Sequence, residues 1–164
     1  MIKYIEGDMF GDLKNLKDDE FVLLPHVCND KNAWGKGFVI PLGKNYPKAK
    51  ELYLKRKPIL GATQFIQVEK NLIVCNMVAQ TLGGVRPLYY NHLVACMEKV
   101  TECVFIGRQD WPDKTIRIVA PAFGSNLAGG NWNFISELIN DCWIDRGIDV
   151  TIYYLPGTLT LENK

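Results

Sequence analysis

The chain has 164 residues and a formal net charge of +1, with 48% hydrophobic and 23% charged residues. That length fits one folding unit with a real core, and that composition excludes a disordered or fibrous chain. A charge so near zero excludes the broad basic surface of sequence-independent nucleic-acid binding, so an anionic partner has to be held by local geometry.

In chain order, six segments in which β-branched and aromatic residues cluster between turn signals are predicted strands: residues 2–6, 21–27, 63–69, 72–78, 116–120 and 150–155. After the second, a short helix is predicted from near Gly37 toward Asn45, with Tyr46-Pro47 as its stop and residues 48–55 as a further helical turn or two. Tyr89, Leu93, Cys96, Met97 and Val100 recur on one helical stripe. Phe134, Ile135, Leu138, Ile139, Cys142 and Trp143 form a second, which stops where Gly147 can close a helix. Runs such as Leu72-Ile73-Val74-Cys75 and Ile152-Tyr153-Tyr154-Leu155 are apolar on both faces, as in strands covered on both sides. The expected fold class is α/β: a three-layer α/β/α sandwich with a central mixed sheet of about six strands, forming a single domain over 1–156. The polar tail 157–164 is expected to fray.

Nothing apolar approaches the roughly 20 residues of a membrane span, and residues 1–8 lack a signal-peptide pattern. The five cysteines, Cys28, Cys75, Cys96, Cys103 and Cys142, are odd in number, scattered and without metal-ligand spacing. They are expected to be reduced, buried thiols in a cytoplasmic protein, with no metal and no cofactor.

Two glycine-rich segments lie between a strand and a helix. The first runs from His26 through Asn29 to Trp34-Gly35-Lys36-Gly37, and the second from Pro121 through Phe123-Gly124-Ser125-Asn126-Leu127-Ala128-Gly129-Gly130 to Trp132. Each alone reads equally as a tight turn or a flexible connection, with Asn131 or Asn133 capping the following helix. On one edge of one sheet, the pair offers enough free amides to cradle a diphosphate.

The order Gly7-Asp8, His26-Val27-Cys28-Asn29, Trp34-Gly35-Lys36-Gly37 and then Pro121 through Trp132 resembles the macro domain family, over nearly the whole chain from Ile2 to Leu155. Within it, the sequence is most similar to the small branch containing ADP-ribose 1''-phosphate phosphatases. The resemblance implies ADP-ribose or ADP-ribose 1''-phosphate as partner, with no membrane and no nucleic acid except as an ADP-ribosylated substrate. It implies that Asp8 and Met9 meet the adenine and that Asn29 holds the distal ribose. Gly35, Lys36 and Gly37 would form one phosphate loop, and Gly124, Ser125, Asn126, Leu127, Ala128 and Gly129 the other. Tyr153 or Tyr154 would either give the adenine an aromatic face or pack within the sheet.

For catalysis the resemblance points to His26 with Asn29. A histidine with a pKa near ~6.5 can exchange a proton with a phosphomonoester or its leaving hydroxyl at neutral pH. The lysine and aspartate used as a covalent pair elsewhere in the family are replaced by Gln80 and Ala128, so that route is not expected unless Lys31 or Lys36 is recruited from the first loop. Asn126 stands where glycine is common, a position asparagine tolerates in the left-handed region. Asn131 stands where relatives often carry an acid, and Asp30, the nearest remaining acid, reads as a solvated loop residue. The resemblance thus implies hydrolysis of ADP-ribose 1''-phosphate, with two alternatives: non-catalytic reading of ADP-ribose, or its removal from modified macromolecules.

Overall fold

The computed structural model describes residues 1–161, and its core is one six-stranded sheet. The elements run β1 (Lys3–Glu6), α1 (Met9–Leu13), β2 (Glu20–Asn29), α2 (Val39–Asn45), α3 (Pro47–Leu54), β3 (Thr63–Glu69), β4 (Leu72–Gln80), α4 (Tyr90–Asp110), β5 (Thr115–Pro121), a 3-10 turn at Asn126–Ala128, α5 (Trp132–Cys142), a second such turn at Ile144–Arg146, and β6 (Val150–Tyr154). All six expected strands form, in the order β1-β6-β5-β2-β4-β3. Every neighbouring pair is parallel except β3 with β4, so the sheet is mixed as expected.

Alternation along the strands divides the interior in two. Phe21, Leu23, Cys75, Met77, Ile118 and Ile152 face α4 and α5, with Leu93, Met97, Ile135 and Trp143 filling that layer. Val22, Leu24, Cys28, Val74, Val119 and Tyr153 face the opposite way, toward α1, α2 and α3. The helices on both faces explain why the strands carry apolar residues on both.

Two helices differ from expectation. α1 is only five residues long, too short for a periodic stripe, and begins at the Asp8 cap. α4 runs ten residues beyond the apolar stripe that announced it, ending at Asp110. Pro47, expected as a stop, is the first residue of α3, where its missing N–H is harmless. In the tail, Leu155 accepts from Thr158 in a turn and Leu159 packs partly on the core. The rest of the expected tail, residues 162–164, lies outside the described residues. No helix among the described residues is long and apolar enough to cross a membrane.

Candidate functional site

The parallel strands β1, β2, β4, β5 and β6 end on the same edge, which gathers Asp8 and the loops after β2, β4 and β5. The sheet opens there. β2 pairs with β5 only from Glu20–Thr115 to Leu23–Ile118, yet it stays paired with β4 as far as Asn29–Gln80, and β5 stays with β6 as far as Pro121–Tyr153.

Two prolines account for the parting. Val22 N–H donates to the Asn71 carbonyl on the β4 side, so by alternation the N–H groups of odd-numbered β2 residues point toward β5. Ile118 N–H donates to the Asp149 carbonyl on the β6 side, so odd-numbered β5 residues point toward β2. The next donors the ladder needs are residues 25 and 121, and both are proline, which has none. The chain leaves β2 for the α2–α3 face and leaves β5 for the α5 face. The gap is therefore a topological switch point, the usual ligand crevice of such sheets.

The two glycine-rich loops meet over this gap. A Cβ on Gly37, whose φ is +79°, would sit 3.1 Å from Leu127 Cδ1. Gly129, with φ +72°, lies against the loop after β4: a Cβ there would sit 2.4 Å from the Val85 carbonyl oxygen, so only glycine permits the approach. Leu88 N–H also donates to the Ala128 carbonyl at 3.2 Å. Asn126 adopts the left-handed φ of +54° that its glycine-like position requires.

Asn29 is the frame of the first loop. Its Oδ1 accepts from Lys31 N–H at 2.9 Å, Ala33 N–H at 3.0 Å and the Tyr53 hydroxyl at 3.1 Å, while Nδ2 donates to the Ala33 carbonyl at 2.8 Å. Most of its bonding capacity is thus turned inward. Asn32 pins the loop to the end of α3 by donating to the Tyr53 and Arg56 carbonyls, both at 2.9 Å. Gly35, Lys36 and Gly37 are left exposed at the loop's crest.

His26 departs from the expected proton donor in one respect, its enclosure. It is 2% exposed, flanked by Trp34 and Phe38. Nε2 lies 2.5 Å from Asn76 Oδ1. Because the Asn76 amide nitrogen already serves the Ala49 carbonyl and Gln64 Oε1, its oxygen is the acceptor and Nε2 carries the proton. Burial depresses the His26 pKa to about 4 against a smaller opposing effect of the Asn76 bond, so the ring is neutral at pH 7, with Nδ1 as a buried acceptor lacking a protein partner.

Asp30 corrects the sequence reading. It is half-buried at the strand end, its Oδ1 is enclosed without a hydrogen-bond partner, and its N–H donates to the Gln80 carbonyl at 3.0 Å. Sequence spacing alone cannot separate such a residue from a solvated loop acid.

The remaining expected residues fall around the same edge. Asp8 is exposed and caps α1, its Oδ1 accepting from Phe10 N–H at 3.0 Å. Met9 is buried and packs in the core beside α2 and α3, so the structure does not bring its side chain to the edge. Tyr153 is turned away: its ring lies in the core beside α1 and its hydroxyl donates to Asp12, leaving the half-buried Tyr154 as the aromatic at the strand end. Ser125 Oγ donates back to the Ala122 carbonyl at 2.5 Å, and Leu127 is exposed. Asn131 caps α5 through Phe134 N–H at 3.3 Å, and its own N–H donates to the Tyr90 hydroxyl at 2.9 Å. The five cysteines are free, with no group of metal-holding side chains among the described residues.

No family model matches the chain. It is 32% identical over 81 residues to an ADP-ribose 1''-phosphate phosphatase of Candida albicans, a match covering 46% of this chain and 51% of the relative. The chain thus spans about half the length of the curated relatives it matches. A macrodomain protein from Streptomyces coelicolor superposes with a TM-score of 0.73 at 30% identity, over 93% of this chain and 98% of that one. A protein of unknown function from Bacteroides thetaiotaomicron does so with a TM-score of 0.78 at 30% identity, over 94% and 98%.

Proposed function

Because the chain belongs to the macro domain family, we propose that it binds ADP-ribose at the β2–β5 opening and hydrolyses ADP-ribose 1''-phosphate to ADP-ribose and phosphate. The observation that carries this reading is the contact of the two glycine-rich loops, Gly37 on Leu127, over a gap left by Pro25 and Pro121. Exposed loop residues on both sides of such a gap, Gly35 to Gly37 on one and Asn126, Leu127 and Gly129 on the other, suit a diphosphate, and the likeness to the Candida albicans phosphatase supplies the reaction.

In this reading Gly35 to Gly37 and Ser125 to Gly129 hold the diphosphate. Asp8 holds the adenine beside Tyr154, and the distal ribose lies by Asn29. A water oxygen bonds to the terminal phosphorus, the bond from phosphorus to the C1'' oxygen breaks, and the proton that the water gives up ends on the ribose oxygen. The carboxylate of the half-buried Asp30, at the end of β2, takes the water proton and passes it to the ribose oxygen. His26 enters as a neutral side chain that fixes the strand end through Asn76. Free cysteines, four of them buried, suit a reducing cytoplasm.

Calorimetry with ADP-ribose beside a phosphate-release assay on ADP-ribose 1''-phosphate tests the reading. Binding with release is expected; absence of binding overturns it. The neutral His26 and the alanine at position 128 favour a second reading, a non-catalytic reader of ADP-ribose on macromolecules, for which the same pair of measurements gives binding without release.

A further inference from the structure

The loop joining β4 to α4 is closed at its base by Thr81 N–H donating to the Pro87 carbonyl at 3.0 Å. It belongs to neither glycine-rich loop, yet its backbone touches the second: the Cβ missing from Gly129 would lie 3.1 Å from Arg86 Cα and 2.4 Å from the Val85 carbonyl oxygen. Arg86 is exposed, and its guanidinium carbon stands 4.3 Å above the centre of the Tyr90 ring. No carboxylate pairs with it among the described residues; the ion pairs there involve Lys70, Lys99, Arg117 and Arg146. The Tyr90 hydroxyl in turn receives the Asn131 N–H at the start of α5. The cation is therefore held by a ring anchored to the end of the second phosphate loop.

Such an arrangement leaves the five donors of the guanidinium unspent at the rim of the anion site. The diphosphate of ADP-ribose has two loops of amides already. A phosphate on C1'' adds about 1.5 to 2 further negative charges and three acceptor oxygens at neutral pH, which amides alone meet poorly and an arginine fork meets well.

We propose that Arg86 is the specificity-determining residue for the terminal phosphomonoester, distinguishing ADP-ribose 1''-phosphate from ADP-ribose. This rests on the phosphatase reading. Arg86 moves no proton; it neutralises charge on the phosphoryl oxygens while the bond from phosphorus to the C1'' oxygen breaks.

The test compares wild type, Arg86→Gln and Arg86→Lys with ADP-ribose and with ADP-ribose 1''-phosphate, using KM where the phosphate ester is turned over and calorimetric Kd otherwise. Arg86→Gln is expected to raise the KM or Kd for the phosphate ester about tenfold or more, as loss of a charge-assisted pair does, while ADP-ribose stays within about twofold. Arg86→Lys is expected to recover part of the loss, since charge without the planar fork remains. Equal weakening of both ligands, or no change in either, overturns the assignment and leaves the phosphatase reading standing. Binding of both ligands by wild type without phosphate release overturns the phosphatase reading, and the ratio of the two Kd values in Arg86→Gln then decides the assignment. Failure of wild type to bind either ligand overturns both.

Discussion

The Tyr53 hydroxyl on α3 donates to the Asn29 main-chain carbonyl at 2.5 Å and reaches the same residue's Oδ1 at 3.1 Å, so a helix on one face of the sheet holds the end of a strand that opens onto the other loops. Tyr53→Phe removes both contacts, while Asn29 Oδ1 keeps its two loop amides. A stability loss of about 1 kcal/mol is expected, with weaker ADP-ribose binding because the first loop is less ordered. Thermal unfolding and calorimetry on the same preparation check both; binding unchanged alongside lowered stability would confine Tyr53 to a structural role.

His26 makes stability depend on pH. Its folded pKa of about 4 lies below the 6.5 of the unfolded chain, so between those values the unfolded state binds more protons and stability rises with pH. Full stability from this group is present above about pH 6.5 and is lost progressively as pH falls toward 4, by on the order of 3 kcal/mol. Denaturant midpoints at several pH values should show this slope in wild type and a flatter one in His26→Gln. Parallel slopes would show that the ring is charged or exposed after all.

Gly35 and Gly129 separate ligand space from protein space. Nothing lies within 4 Å of a Cβ on Gly35, whereas a Cβ on Gly129 meets the Val85 carbonyl oxygen at 2.4 Å in a left-handed backbone. Gly129→Ala should therefore cost about 1 to 3 kcal/mol of stability as well as affinity. Gly35→Ala should leave the melting temperature unchanged and still weaken ADP-ribose binding, because only the ligand needs that space. If Gly35→Ala binds as wild type does, the diphosphate does not run over the first loop.

Asp30→Asn keeps the size and polarity of a half-buried side chain. Phosphate release should fall by about a hundredfold, the usual scale for a lost proton acceptor, while ADP-ribose affinity is retained. Steady-state kinetics beside calorimetry distinguishes this from a loss of loop order, which would lower both.

Much of the framework was legible in the sequence because its signals are local. β3 matched its expected bounds, and the other strands gained or lost only a residue or two at most ends. The cap of α5 could be narrowed to Asn131 or Asn133 for the same reason, a helix cap being decided within a few residues, and it is Asn131; the left-handed Asn126 came from the family resemblance. What was not legible depends on partners far along the chain. The burial of His26 is set by Trp34, Phe38 and Asn76, the last 50 residues away, and the inward turn of Tyr153 is set by Asp12, 141 residues away. The exposed look of Asp30 failed likewise, since its enclosure comes from the folded edge of the sheet. The five-residue α1 carries no periodicity to detect.

The paired prolines at 25 and 121 have a thermodynamic consequence for binding. Strands forced apart would leave amide donors stranded on both lips of the opening, and closing it would always compete with a ligand. Here the first residue on each strand that would have bridged the lips has no N–H to offer. The opening is thus preorganised: the strands part during folding, which lowers the share of binding free energy spent on opening them.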